Sequence, residues 1–250
     1  MASAFARIGW MVLSLVALVV VWGVVAAALD SRVLPGPAAV LAAAVRDTAT
    51  GELPFNVGVT LARVVAAFSL AMVIGGAIGV ALGRSPRADR FFDGWLIVLL
   101  NLPALVVIIL CYVWFGLTEA AAIAAVAINK IPNVAVTLRE GARALSRDLD
   151  EMATVYRFSW RRRLHHVVMP QLSPFLAAAA RSGLALVWKI VLVVELLGRS
   201  NGVGFQLHLY FQLFDVASIL AYAIAFIIIV QAIEILILQP WERAANRWRR

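Results

Sequence analysis

The chain has 250 residues, of which 63% are hydrophobic and 14% are charged, and its mean hydropathy is +0.92. A soluble domain of this length is far less apolar, so most of the chain is predicted to lie in lipid. The formal net charge is +8, but the basic residues form short clusters between long apolar runs, which argues against a nucleic-acid-binding protein. The single cysteine, Cys111, excludes an internal disulfide and a cysteine-based metal site.

Apolar stretches long enough to cross a hydrocarbon core about 30 Å thick recur along the whole sequence. Six are predicted as membrane-spanning helices, over residues 10–29, 57–82, 95–115, 120–138, 174–197 and 216–238. The predicted fold class is therefore an all-α membrane protein with six transmembrane helices, in a single domain over residues 1–250.

Arginine residues collect in the loops on one side of these spans, and such an excess predicts the cytoplasmic side. They are Arg84, Arg87 and Arg90 after the second span, Arg139, Arg143, Arg147, Arg157, Arg161, Arg162 and Arg163 after the fourth, and Arg243, Arg247, Arg249 and Arg250 in the tail. The opposite loops contain only Arg32, Arg46 and Arg199. Both termini are therefore predicted to be cytoplasmic, with Trp241 and Trp248 as interfacial anchors.

Two segments near the second span have a structural signature. Leu34-Pro35-Gly36-Pro37 predicts a rigid turn, after which Ala38–Val45 is expected to form a short helix at the outer surface. Within the second span, small residues recur every four positions and predict close packing on a neighbouring helix. They are Ala67, Ala71, Gly75, Gly79 and Gly83. The alternative is a general bias towards small residues in an alanine-rich chain.

No catalytic or metal-binding constellation is recognisable. The chain has two lysines, Lys130 and Lys189, and neither ends a phosphate-binding loop of the G-x-x-x-x-G-K-[ST] type. His165 and His166 are adjacent and lack the i, i+4 spacing of a helical zinc site. The sequence thus predicts no catalytic residue, no metal site and no cofactor bound by this chain.

The long loop over residues 139–173 is polar yet keeps helical apolar spacing. Met152, Val155 and Tyr156 fall on one face of a first helix, and a second amphipathic stretch from Trp160 to Met169 is expected to end at Pro170. Two short helices with a bend form a projection on which a cytoplasmic partner can dock. The alternative is an interfacial hairpin whose arginines face anionic lipid, and the physical argument alone leaves both open.

This loop resembles that of the inner-membrane permeases of ATP-binding-cassette (ABC) importers, in which E-A-A is followed by three residues, G, nine residues and I-x-L-P. The chain has Glu151-Met152-Ala153, Arg157 at the glycine position, and Val167-Val168-Met169-Pro170 at the end. In a left-handed turn arginine costs about 1–2 kcal/mol more than glycine, so the bend is expected to differ in shape.

Further segments extend the resemblance along nearly the whole chain, towards the nitrate/sulfonate/taurine branch of these permeases. They are Leu34-Pro35-Gly36-Pro37, Trp114-Phe115-Gly116-Leu117, Glu195-Leu196-Leu197-Gly198 and Asn201-Gly202-Val203-Gly204. The resemblance implies the type I ABC importer permease fold, with a periplasmic amphipathic helix and a cytoplasmic coupling-helix loop.

The resemblance also implies the partners and the location. It predicts a homodimer in the bacterial inner membrane, a cytoplasmic ATPase dimer that binds ATP and Mg²⁺, and a periplasmic substrate-binding protein that delivers the solute. The residues implied in coupling to the ATPase are Glu151, Met152, Ala153, Arg157, Ser159, Trp160 and Pro170.

Charged side chains inside lipid are costly and need a partner or a route to water. Arg63 lies within about two turns of the outer end of its span and is expected to snorkel to the surface. Lys130 is expected to reach the cytoplasmic surface, with the fourth span ending early near Pro132. Arg181, in the cytoplasmic half of the fifth span, is a candidate for the translocation pathway, and the alternative is that it pairs with a carboxylate or with a helix C-terminus.

The fifth span supplies the candidates for the translocation pathway. Our hypothesis is that Lys189 faces the pathway and attracts an anion, with Trp188 available for aromatic contact. The alternative is a buried ion pair of Lys189 with Glu195 or Glu234. Glu195 is expected at the outer gate or at the binding-protein contact, and its alternative is an exposed, solvated carboxylate.

The predicted function is a non-catalytic permease for a small, anionic solute of the sulfonate, nitrate, taurine or aromatic carboxylate class. The alternative from another class is a membrane-embedded enzyme or assembly factor whose cytoplasmic loop rests on lipid. A proton-coupled carrier is disfavoured, because the six spans show no evident inverted repeat.

Overall fold

The computed structural model describes residues 2–29, 31 and 33–245, and the regular elements within these ranges are helices. In chain order they are α1 (Ala2–Leu29), α2 (Pro37–Ala49), α3 (Glu52–Arg84), α4 (Pro86–Asn101), α5 (Ala104–Phe115), α6 (Glu119–Arg143), α7 (Arg147–Val155), α8 (Trp160–Arg163), a π-helical segment (Leu164–Val168), α9 (Met169–Gly198), α10 (Val203–Gln212), α11 (Val216–Ile233), a second π-helical segment (Glu234–Leu238) and α12 (Gln239–Ala245). The predicted tail residues Arg247, Trp248, Arg249 and Arg250, and the loop residue Arg32, lie outside the described residues.

Four helical stretches of the described chain are long and apolar enough to cross a membrane. They are Glu52–Arg84, Glu119–Arg143, Trp160–Gly198 and Val216–Glu242. Helices α4 and α5 pass the same test together and add a fifth crossing if the pair is one span, whereas the apolar part of α1, Leu13–Leu29, is shorter. The all-α prediction is confirmed, and the count of six stays a prediction.

The stretch predicted as one span over 95–115 is divided into two helices. Helices α4 and α5 meet at an angle of 94°, and the break falls at Leu102-Pro103, where Leu102 is extended at φ −67° and ψ 125°. A proline disfavours the helical conformation of the residue before it and lacks the N–H that would continue the ladder, so the helix ends here.

The ridge of small residues on α3 lies against α6. A Cβ atom added to Gly75 would come within 2.7 Å of the Ile131 carbonyl oxygen, and one added to Gly79 would come within 2.9 Å of Leu138 Cβ. Ala71 has no exposed surface. The two helices therefore approach so closely that the contact positions on α3 accept no larger side chain.

Helices α3 and α6 run in the same direction, and α9 packs against both of them and runs the opposite way. Gly141, near the end of α6, faces Phe175, near the start of α9. The ends of α3 and α6 and the start of α9 thus meet at one end of the bundle, which we call the arginine-rich end. The core between these helices, α5 and α11 is closed, because Ile108, Val187 and Tyr222 have no exposed surface.

Pro170 does not end a helix, contrary to the prediction. The helix continues from Trp160 to Gly198 through the π-helical segment, in which the Met169 N–H donates to the Leu164 carbonyl five residues earlier. Since this wide turn precedes it, Pro170 takes the first turn of α9, where the N–H that proline lacks is not needed. The second π-helical segment precedes Pro240 in the same way.

The short helix predicted after the first span is present as α2. Val40 and Ala43 of α2 pack against Ala221 of α11, and Arg46 Nη2 donates to Ser218 Oγ at 2.9 Å. Because Ser218 and Ala221 lie in the first turns of α11, α2 sits at the end of the bundle opposite the arginine-rich end.

Candidate functional site

The loop between α6 and α9 forms a helical projection that is fixed to the start of the long helix. The Ser146 N–H donates to Gln171 Oε1 at 2.8 Å. Arg163 Nε donates to Asp150 Oδ1 at 2.7 Å, and this hydrogen bond lowers the pKa of the Asp150 carboxyl below its ordinary value. Ala153 is 2% exposed, on the side of α7 that packs against the π-helical segment. One face of α7 is thus held in place by three separate contacts.

The remaining surface of this projection is apolar and exposed. The exposed fractions are 38% for Met152, 77% for Val155, 71% for Tyr156 and 69% for Trp160, and Glu151 is exposed beside them. We call these five residues the docking face. An apolar surface with an acidic neighbour, at the tip of a polar loop, is typical of an interaction site.

A left-handed turn at Arg157 ends α7. The Phe158 N–H donates to the Ala153 carbonyl at 2.9 Å and the Arg157 N–H to the Thr154 carbonyl at 3.0 Å, which is the Schellman pattern of a helix C-terminus. Arg157 has φ 51°. Arginine thus adopts the left-handed conformation for which glycine is the usual choice, and the expectation of a bend shaped differently from that of the family stays a prediction.

The other predicted coupling residues have supporting positions. Ser159 Oγ accepts a hydrogen bond from the Arg162 N–H at 3.4 Å and so caps α8. The Arg162 guanidinium lies 5.3 Å from the centre of the Phe158 ring. Pro170 lies one helical segment further along, at the start of α9, and is not part of the docking face.

A buried network of charged side chains lies at the opposite end of the bundle. Arg63 Nη1 donates to Glu195 Oε1 at 2.8 Å, and Arg63 Nε donates to Glu119 Oε2 at 2.9 Å. Arg63 also donates to the side chain of Asn201 and, at 2.8 Å, to its carbonyl oxygen. Arg199 Nη2 also donates a hydrogen bond to Glu119 Oε1, so two cations contact this carboxylate. The two buried members, Arg63 and Glu195, thus neutralise each other, as buried charges require.

The same network holds the loop between α9 and α10 against α3. The Gly204 N–H donates to Glu195 Oε2 at 2.8 Å, the Val203 N–H to Thr60 Oγ1 at 2.8 Å and the Gly202 N–H to Asn56 Oδ1 at 2.8 Å. A Cβ atom on Gly202 would come within 2.6 Å of Glu195 Oε2. The Asn201-Gly202-Val203-Gly204 motif therefore closes over Glu195.

The structure contradicts the alternative given for Glu195 and the expectation given for Arg63. Glu195 has no exposed surface and is not a solvated carboxylate, and Arg63 is 4% exposed and does not snorkel. Snorkelling is unnecessary because both carboxylates approach from neighbouring helices. Sequence reasoning missed Glu119, but Asn56, Thr60 and Arg63 recur at i, i+4 and i+7, and this polar stripe on an apolar span could have indicated the network.

Helix α9 separates the pathway candidates onto different faces. Lys189 is exposed and forms no ion pair within the described ranges, since Glu195 pairs with Arg63 and Glu234 with Arg181. Trp188 is 6% exposed and packs edge-to-face on Phe226. Trp188 is thus part of the core and is not stacked beside Lys189.

Arg181 and Trp188 line a cleft of ≈ 600 Å³ between α9 and α11. Arg181 Nε lies 3.4 Å from Glu234 Oε1, and Arg181 Nη1 lies 2.6 Å from Glu242 Oε2. The alternative given for Arg181, pairing with a carboxylate, is what the structure shows, and its place in the pathway stays a prediction.

Lys130 does not reach a surface. Helix α6 continues through Pro132 to Arg143, so the span does not end early, and Lys130 is 2% exposed. The prediction failed because a buried proline is tolerated where neighbouring helices cover the freed backbone groups.

Residues 71–239 match the protein family described as "Binding-protein-dependent transport system inner membrane component". Over 247 residues the chain is 27% identical to a protein of Bacillus subtilis (strain 168) provisionally named as an aliphatic sulfonates transport permease protein, covering 97% of this chain and 89% of that one. It is 25% identical to the taurine transport system permease protein of Escherichia coli (strain K12), over 77% of this chain and 70% of that one.

A solved structure has the same fold. The crystal structure of an amino acid ABC transporter with histidines superposes with a TM-score of 0.63 over 80% of this chain and 97% of that chain. The sequence identity is 19%, so this likeness concerns the fold alone.

Proposed function

Because the chain belongs to the family of binding-protein-dependent transport system inner membrane components, it is the permease of an ABC importer, and we propose that its solute is a small anion. The permease is not catalytic, and a separate subunit hydrolyses ATP. Aliphatic sulfonates and taurine, for which two relatives are named, both carry a sulfonate group. Lys189, exposed on α9, supports the choice of an anion, and we propose that it lines the pathway.

The observation that carries the proposed assembly is the docking face on α7 and α8. We propose that it seats in a groove of a cytoplasmic ATPase subunit, which binds ATP and Mg²⁺, and that Ala153, Arg157, Ser159 and Pro170 fix its orientation. The hydrogen bonds that hold α7 against α8 and the start of α9 support this role, because a displacement of the docking face would move the membrane-crossing helix with it.

The proposed arrangement in the membrane follows the type I importer fold. Helix α1 and the α4–α5 pair count as spans, which gives six, and the arginine-rich end and both termini face the cytoplasm. Helix α2 then lies at the periplasmic surface of the inner membrane. Two copies form the pathway between their exposed α9 faces, and a periplasmic binding protein delivers the solute.

The network around Glu195 is proposed as the outer closure of the pathway. It ties α3, α6 and α9 together at the periplasmic side, next to the surface on which a binding protein would land. In the proposed cycle, ATP binding closes the ATPase pair and turns the permeases outward, and hydrolysis resets them. The Arg181 cleft then lies on the cytoplasmic half of the same pathway.

The test is reconstitution of the permease with the ATPase encoded beside it and its binding protein. We expect the ATPase to co-purify, and we expect ATP-dependent uptake of at least one of ethanesulfonate, taurine, nitrate and benzoate into proteoliposomes. Glu151→Ala should release or uncouple the ATPase. Glu52→Ala removes the same charge from an exposed site at the other end of the bundle and should have no effect.

Two results would contradict the proposal. If the Glu151→Ala variant retains the ATPase and takes up solute as the wild type does, the loop is not the coupling element. Uptake of neutral solutes alone by the wild-type importer would mean that the solute is not an anion.

A further inference from the structure

Lys130 differs from the other buried charges of the described chain. Asp47, Arg63, Lys130 and Glu195 are each less than 5% exposed. Asp47 pairs with Arg46 at 2.8 Å, and Arg63 pairs with Glu195 at 2.8 Å. Lys130 forms no hydrogen bond and no ion pair with any described residue. A buried ammonium without a counter-charge is strongly unfavourable, so its retention requires a reason.

The depth of Lys130 in the bundle increases the free-energy cost of burying its unpaired charge. It lies about 16 Å from the nearer end of α6 along the helix axis, at the level where water is least available. Ionisable groups at such a depth mark the paths of ions and substrates through membrane proteins.

The space for the ammonium is created by a glycine. A Cβ atom on Gly183 of α9 would come within 2.9 Å of Lys130 Nζ, and Phe68 of α3 lies 3.5 Å from the same point. The end of the side chain therefore occupies the room that glycine leaves at position 183. Ser182, the preceding residue, belongs to the exposed face of α9 that also bears Lys189.

An anion that neutralises Lys130 has to be small. The helices of this chain leave only 2% of Lys130 exposed, so a carboxylate of a second subunit could not approach without unpacking the bundle. A small anion could reach the ammonium group if α9 and α6 separate slightly at Gly183, where the Lys130 side chain fills the space that glycine leaves. Movement of α9 is also what a force on the docking face would produce.

We propose that Lys130 binds the transported anion near the middle of the membrane, through a charge-assisted hydrogen bond from its ammonium group. The ligand class is a small sulfonate or carboxylate. The proposal deepens the proposed function and rests on it, because an importer of neutral solutes would need no such cation.

The test measures uptake of ethanesulfonate by the reconstituted importer containing Lys130→Met, which keeps the length of the side chain and removes the charge. We expect uptake to fall about tenfold or more, as for loss of a hydrogen bond to a charged group, while basal ATP hydrolysis stays within about twofold of wild type. Gly183→Ala, which displaces the ammonium, should have a similar effect. Gly76→Ala is the matched control, because a Cβ atom there meets nothing within 4 Å.

The outcomes separate the two proposals. If the wild-type importer takes up ethanesulfonate and Lys130→Met does so at the same rate, the role of Lys130 is refuted and the anion importer stands. If the wild type takes up no anion of the panel, the anionic solute is refuted and the role of Lys130 with it.

A second measurement covers the case in which Lys130→Met fails to assemble. The chain has two lysines, Lys130 and Lys189, so a wild-type permease labelled with ¹⁵N-lysine and assembled with unlabelled partners gives two side-chain signals. The spectrum of the Lys189→Met variant lacks one of the two signals and so assigns the other to Lys130. Addition of ethanesulfonate should shift the Lys130 signal, whereas gluconate, which is larger, should not. A Lys130 signal that is insensitive to ethanesulfonate throughout the ATP cycle would overturn the proposal.

Discussion

At the scale of single residues, Arg157 is the position where local strain and the proposed coupling meet. It is left-handed at φ 51°, and its exposed side chain forms no hydrogen bond or ion pair with the part of the chain that the structure describes. A residue other than glycine in this conformation costs about 1–2 kcal/mol. The turn keeps its shape because two backbone hydrogen bonds and the packing of Ala153 impose it.

Replacing Arg157 by glycine should therefore stabilise the permease. We expect the free energy of unfolding to rise by about 0.5–1 kcal/mol, since the relief of strain exceeds the entropy that glycine adds to the unfolded chain. Titration with a denaturing detergent measures the change. Tyr156→Gly, one residue earlier at φ −79°, should destabilise by a similar amount, and a stabilisation by both variants would show that backbone strain is not the cause.

At the scale of helices, the most extensive contact among the described elements is that of α3 with α6. The glycines of α3 leave space that the backbone and Cβ atoms of α6 fill, and the helices gain dispersion contacts from this close packing. These contacts matter because the hydrophobic effect does not drive the association of helices within lipid. The pairing also fixes the depth of Lys130 and Arg139 relative to α3, because both project from the same helix.

Gly79→Ala should push these helices apart. The added Cβ atom would meet Leu138 Cβ at 2.9 Å and the backbone N of Arg139 at 3.0 Å, so we expect a loss of about 1–3 kcal/mol in the free energy of unfolding. The matched substitution Gly76→Ala meets open space and should change the stability by no more than about 1 kcal/mol, in the stabilising direction. Equal losses for both variants would contradict the packing argument.

At the scale of the whole molecule, one continuous helix links the two candidate sites. The stretch from Trp160 to Gly198 begins in the docking face and ends beside the network around Glu195. The π-helical segment near its start widens the helix without breaking it. A displacement of the docking face is therefore carried to the outer closure by a single element.

The charge network should contribute measurably to the stability of the whole bundle. Glu195→Gln leaves Glu119 as the one carboxylate that the structure places on Arg63 among the described residues, and we expect a loss of about 2–3 kcal/mol in the free energy of unfolding. Glu119→Gln, at a site that is 50% exposed, should cost less than about 1 kcal/mol, because solvent screens it. Unfolding by denaturing detergent tests both variants, and a larger loss for Glu119→Gln would mean that burial does not set the strength of the network.

The helical class, the ridge of small residues and the family resemblance were all legible in the sequence. They depend on local signals: apolar runs, a spacing of four residues, and a motif from Glu151 to Pro170 within one loop. Even the left-handed position at Arg157 was marked, because the family motif has glycine there.

The partners of the charged residues were decided by the tertiary structure alone. Glu195 and Arg63 are separated by 132 positions, and no local rule selects Arg63 over Lys189 as the partner of Glu195. Whether a cation snorkels, pairs or stays alone depends on which helices surround it, and this follows from packing between segments distant in the chain. For the same reason the sequence marked Lys130 as a charge in lipid, and only the fold showed that it is buried without a partner among the residues that the structure describes.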